Sequence, residues 1–83
     1  MNMKDNIVRF WLTHHYLRKI GKRYPDFFEE LIADVTDSYS QRQVMKHRYV
    51  LGKKFESVAL DMNKYVSYIF RLHKQVIDKL VRL

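Results

Sequence analysis

The chain has 83 residues, 47% of them hydrophobic, with one Pro, two Gly, no Cys and a net charge of +7. That balance suits one small domain with a packed helical core and excludes a disordered chain, a disulfide framework and a thiolate metal site. No apolar run approaches the ~18 residues that span a bilayer and no signal-peptide pattern starts the chain, so a soluble cytoplasmic protein without a membrane partner is expected.

Strand-like alternation is scarce and there is no internal repeat, low-complexity tract or linker. The expected fold class is therefore all-α: about five helices in a single domain, residues 1–83, with an N-terminal helical hairpin (1–39) and a C-terminal unit (40–83). The first helix is expected from about Asn6 to Ile20, capped by Asp5 or Asn6 and ended by Gly21 in the left-handed conformation. Ile7, Phe10, Trp11, Leu17 and Ile20 form its apolar stripe, widened by Val8 and Leu12. Arg18, Lys19, Lys22 and Arg23 gather at its C-terminal end, where cations suit the helix dipole.

The second helix starts at Pro25, with Asp26, Glu29 and Glu30 in its opening turns and Phe27, Phe28, Leu31, Ile32 and Val35 facing inward. Thr36-Asp37-Ser38 is the strongest loop signal. The third helix is expected to begin at Ser40, paired with Gln43 as a capping box, to bury Val44, His47, Tyr49 and Leu51, and to stop at Gly52. A short fourth helix, Phe55 to Met62, and a long fifth, Tyr65 to Arg82, complete the chain. The fifth carries inward residues Ile69, Leu72, Val76, Ile77, Leu80 and Leu83.

The last two helices carry the functional signal. Ala59 is small where helices must approach closely. Asn63, four residues later, tolerates the positive φ of a tight turn, and Ile69 packs back onto the first of the pair together with Val58, Met62 and Leu72. This is helix-turn-helix spacing, in which the second helix enters the DNA major groove. Charge agrees: residues 1–40 carry six basic and six acidic side chains, while residues 41–83 carry ten basic against three acidic and so hold the whole excess. A polyanion is the partner class this implies.

On the fifth helix, Ser67, Phe70, Arg71 and Lys74 share the outer face, bordered by Val66 and Gln75. Arg71 is the best base reader, because its fork matches guanine O6 and N7. Ser67 can bond a base or phosphate, and Phe70 can touch thymine methyl groups. The competing reading of Phe70 is a protein contact, or a ring buried by the N-terminal helices. Lys53, Lys54, Lys64 and Lys74 are phosphate candidates, and Arg42 and Lys46 extend that track. The four His lack ligand spacing, so no metal or other cofactor is expected. With no phosphate loop, paired carboxylates in a cleft or Cys nucleophile, neither is an enzyme. Phe10, Trp11, Tyr16, Tyr24, Phe27 and Phe28 exceed what two short helices need to bury. They imply either a well-filled core or an interface for a homodimer or a polymerase subunit.

From Ser40 onward, the chain resembles the promoter-recognition domain at the C-terminus of bacterial sigma factors (region 4). The residues behind this are the Ser40–Gln43 cap, Arg48-Tyr49, Gly52, Phe55-Glu56, Val58-Ala59, Arg71-Leu72-His73-Lys74 and Lys79-Leu80. The resemblance covers about half the chain and implies a transcription regulator that binds double-stranded DNA, of the small type carried by phages and mobile elements. The alternative it implies is a module that binds RNA polymerase or a sigma factor, with weak or no DNA contact. The chain departs from the pattern at Lys64, Tyr65, Val66 and Phe70. There the family usually carries, in turn, an aliphatic turn residue, a Ser or Thr cap and, at the last two positions, charged groove-facing side chains.

Overall fold

Five α-helices build the computed structural model, which describes the backbone of residues 3–82 and the side chains of residues 12–82; no strand occurs among the described residues. They are α1 (Met3–Arg23), α2 (Pro25–Val35), α3 (Tyr39–Met45), α4 (Phe55–Met62) and α5 (Val66–Val81), with α3 continued by a π-helical turn, Lys46–Val50. α5 is the spine: α1, α2, α3 and α4 all pack against it.

Two apolar clusters hold the helices. Leu17, Phe28, Ile32, Met45, Tyr49, Val76 and Ile77 join α1, α2, the α3 segment and α5, with Ile20, Leu31, Val35 and Leu80 packed at the margin. Val44, Val58, Ala59, Ile69 and Leu72 join α3, α4 and α5, with Phe55, Met62 and Tyr68 at the margin. Each large side chain fully withdrawn from water contributes about 1.5–3 kcal/mol, so both clusters matter to a chain of this size.

The later helices begin and end close to where the sequence places them. Pro25 opens α2, where its missing N–H costs nothing. Gly52, at φ +67°, ends the π-turn. Asn63, at φ 54° and ψ 49°, ends α4 in the left-handed region, and the Lys64 N–H closes on the Ala59 carbonyl at 3.0 Å.

Three expectations need correction. α1 runs to Arg23, straight through Gly21, and both Asp5 and Asn6 lie inside it, so neither is its cap. Gly21 serves a crossing and not a cap: a Cβ built there would lie 2.5 Å from the Tyr49 carbonyl oxygen, so only glycine lets α1 approach the π-turn this closely. α3 is capped by Ser38, not Ser40: the Ser38 hydroxyl accepts from the Gln41 N–H at 3.2 Å, and the Gln41 side chain accepts from the Asp37 N–H at 2.8 Å. The expected inward residues Leu12, Phe27 and Leu51 are exposed, whereas Met45 is fully buried. The expected stripe residues Ile7, Val8, Phe10 and Trp11 lie outside the described side chains, and Leu83 outside the described residues.

Candidate nucleic-acid interface

The turn at Asn63 presents α5 with its first turns open. Tyr65 precedes the helix in an extended conformation and gives no side-chain cap, in line with the missing Ser or Thr. Burial of Ile69, Leu72, Val76 and Ile77 on one side leaves Ser67, Phe70, Arg71 and Lys74 exposed on the other.

Phe70, Arg71 and Lys74 each have a partner. Tyr68, half-buried at the edge of the second cluster, carries two cations over its ring: Lys64 Nζ at 5.6 Å and the Arg71 guanidinium at 5.3 Å from the centroid. A ring face attracts a cation electrostatically, so Tyr68 favours the placement of both. Phe70 is 47% exposed, with its other side against Phe55 at 4.6 Å between centroids. The cover on Phe70 therefore comes from the start of α4. Phe55 in turn supports the Arg48 guanidinium, 4.8 Å from its centroid, and the His73 ring at 5.0 Å.

The expected phosphate contacts divide. Lys54 and Lys64 are exposed and make no ion pair among the described residues. Lys53 is 2.5 Å from Asp61, and its hydrogen bond holds the Asp61 carboxyl below the ordinary carboxylate range. Lys74 pairs with Asp78 at 3.4 Å, and Lys46 with Glu29 at 3.2 Å. Arg42 and Lys46 line a groove between α2 and α3 together with Phe28, Glu29, Ile32 and Tyr39, so they are turned toward the N-terminal hairpin.

Behind the face lies a polar core that spacing does not announce. The Tyr49 hydroxyl bridges His14 Nδ1 at 2.7 Å and His73 Nε2 at 2.6 Å, donating to one ring and accepting from the N–H of the other. Its three members come from α1, the π-turn and α5, 35 and 24 residues apart. Burial pushes His73 down to about 4 and the Tyr49 phenol well above its usual range; burial also lowers His14, aided by the nearby Arg48 and Arg18 charges. Among the described residues no group of three His, Asp or Glu side chains could hold a metal, and no helix is long and apolar enough to cross a membrane.

Of the N-terminal aromatics whose side chains are described, Phe28 is fully buried, while Tyr16, Tyr24 and Phe27 are exposed. A well-filled core therefore accounts for one of these four. Comparison with family models, curated proteins and solved structures finds no match for this chain.

Proposed function

We propose that this chain is a DNA-binding regulator of transcription that lays the N-terminal turns of α5 in the major groove. The observation that carries the reading is the outer face of α5. Ser67 and Arg71 stand exposed on its first two turns, with Arg71 and Lys64 braced on the Tyr68 ring. A guanidinium held at a fixed height on an exposed helix is suited to bidentate contact with guanine. Lys54, Lys64 and Lys74 would flank it on phosphates, and the net charge of +7 favours a polyanion over a neutral partner.

Binding to duplex DNA, measured against salt, tests this directly. Phosphate contacts make affinity fall linearly in log–log form, and failure to bind any duplex more tightly than about micromolar at low salt overturns the reading. On a site selected from a random duplex pool, Arg71→Ala should cost about 1–3 kcal/mol and relax preference at one base pair. Equal loss on all sequences would make Arg71 a phosphate contact.

A second reading has its own support. Leu60 is 82% exposed and Tyr65 86%, and with Ala59, Asn63, Lys64 and Tyr68 they line a notch at the α4–α5 turn. An apolar pair this bare next to the proposed reading helix suits a protein partner such as RNA polymerase or a sigma factor. Leu60→Ser with Tyr65→Ser should leave duplex affinity within about twofold if the notch serves a protein, whereas a loss of tenfold or more assigns the notch to DNA.

A further inference from the structure

The C-terminal half holds the whole excess of formal charge, yet much of it is neutralised in place. Lys46, Lys53, Lys74 and Lys79 each have a carboxylate partner. The first half shows the reverse. Its acids sit mainly on α2, while Arg18, Lys19, Lys22 and Arg23 crowd the C-terminal turns of α1 and make no ion pair among the described residues. A charge sum over residues 1–40 comes to zero and conceals a strongly basic surface.

Two adjoining grooves form that surface. One is lined by His15, Arg18, Lys19, Lys22 and Arg23. The other, about 310 Å³, is lined by Arg18, Lys22 and Arg48 with the turn from Tyr49 to Gly52. Among the described residues no Asp or Glu lines either. The helix dipole accounts for Lys22 and Arg23 in the last turn of α1. It does not account for Arg18 on the turn before, nor for Arg48 on a different element. Arg48 is the most costly member. Its Nε is buried without a hydrogen-bond partner among the described residues, and one Nη donates to the Lys53 carbonyl at 3.3 Å. A half-buried guanidinium facing two further cations is an arrangement that an anion would relieve.

The same Arg48 connects this surface to α5. Its guanidinium lies 4.8 Å from the Phe55 centroid, and Phe55 lies 4.6 Å from the Phe70 centroid. Basic and aromatic groups thus continue from the outer face of α5, past the start of α4, onto α1, with Glu56 and Asp61 of α4 the carboxylates nearest this path in sequence. Duplex DNA presents one charge per ~1.7 Å of axis, so a track that crosses three helices meets more than one phosphate.

We infer that Arg18 and Lys22 of α1, with Arg48 between them and α5, form a second phosphate-binding surface that carries the DNA backbone flanking the base-reading contacts. The inference rests on the proposed α5 reading and changes which side of the molecule the duplex follows: toward α1, and away from the α2–α3 groove of Arg42 and Lys46.

The test compares two charge-matched double variants on one long duplex, Arg18→Ala with Lys22→Ala against Arg42→Ala with Lys46→Ala. All four positions are exposed, and helical content by circular dichroism checks the fold, with Arg18→Gln plus Lys22→Gln as a second version of the first pair. The α1 pair should make the log K against log salt slope shallower by about 1.8, and the α3 pair should leave it nearly unchanged. Trimming the duplex to the base-read core should weaken the wild type and leave the α1 pair unaffected. Equal losses from both pairs would indicate a net-charge effect and overturn the inference, as would an unchanged slope in the α1 pair while duplex binding persists. A wild type without duplex affinity overturns the α5 reading itself, and the α1 surface as a DNA contact with it.

Discussion

The two core clusters hold their helices by different means. The buried members of the α3–α4–α5 cluster, Val44, Val58, Ala59, Ile69 and Leu72, are apolar, and the cluster is closed by a local turn at Asn63. The cluster that seats α1 and α2 is built around Tyr49, whose hydroxyl bridges two His rings, and around the contact between Gly21 and the Tyr49 backbone. Apolar packing is indifferent to pH and tolerant of small shifts. A bridged hydroxyl and a backbone-to-backbone crossing are neither. The pair α4–α5 should therefore be the invariant part of the molecule, and the seating of α1 the part that responds to conditions.

Ile69→Ala gives the largest expected effect. Ile69 is fully buried at the centre of the apolar cluster, so its truncation should cost about 2–5 kcal/mol in denaturant unfolding. That cost should be the same at pH 7 and pH 5. A cost that varies with pH would show that the two clusters are not distinct in the way proposed.

Acid should act on the other cluster. His73 titrates at about 4 in the folded chain against an ordinary value of 6.5, because burial penalises its charged form. Between those values the unfolded chain takes up a proton that the folded chain refuses. Stability is therefore fully present above pH 6.5, falls by up to about 1.4 kcal/mol per unit on the way down, and levels off below about 4. His14, shifted in the same direction, adds to the loss. Tyr49 gives the mirror effect: its raised phenol stays protonated on folding, so stability is lost as pH rises above its ordinary value of 10. Unfolding followed from pH 7.5 to 4.5 checks the acid arm. His73→Gln should lower stability at pH 7 and flatten the slope; an unchanged slope would remove His73 as its source.

Gly21→Ala sharpens the comparison by geometry alone. In an exposed helix this change gains up to about 1 kcal/mol of propensity. Here the new Cβ meets the Tyr49 carbonyl oxygen at 2.5 Å, and backbone cannot move aside as a side-chain tip can. The net result should be a loss of about 1–3 kcal/mol, read as a lower midpoint in urea at an unchanged slope. A stabilised variant would mean that α1 sits more loosely on the π-turn than the crossing implies.

What the sequence discloses follows the same division. The bounds of α4 and the inward face of α5 are legible because local signals decide them: Asn63 at the turn, and apolar spacing uninterrupted from Ile69 to Ile77. The start of α3 is not legible, because Ser38 and Ser40 each have a Gln three residues on. Ser38 is used, and its partner Gln41 also donates to Gln75 of α5 at 3.1 Å, a contact 34 residues away that no local pattern contains. Gly21 ahead of Lys22 and Arg23 has the form of a helix end, and only Tyr49, distant in sequence, gives it another purpose. The site divides likewise. Ser67, Phe70, Arg71 and Lys74 share a face by helical period alone, whereas the bracing of Arg71 by Tyr68 and the joining of Arg48 to Arg18 and Lys22 depend on packing.

The smallest expected change in stability comes from Asp61→Asn, and it bears on function. Asp61 is exposed on α4, where it pairs with Lys53 at 2.5 Å and lies 3.4 Å from His47 Nδ1. Exposed pairs of this kind contribute little to folding, so unfolding curves of the variant should overlay the wild type. For DNA the sign reverses. The wild-type carboxylate neutralises Lys53 at the edge of the proposed backbone track and repels phosphate itself. Removing its charge frees one cation, so affinity at low salt should rise and the log K against log salt slope should steepen by up to about 0.9, the increment of one phosphate contact. The same substitution at Asp78 would free Lys74, already 74% exposed at the side chain and joined to Asp78 by a longer 3.4 Å contact, so it should change less. If Asp61→Asn leaves the slope untouched, Lys53 is outside the footprint, and the duplex would have to reach α1 through Lys54 and Arg48 alone.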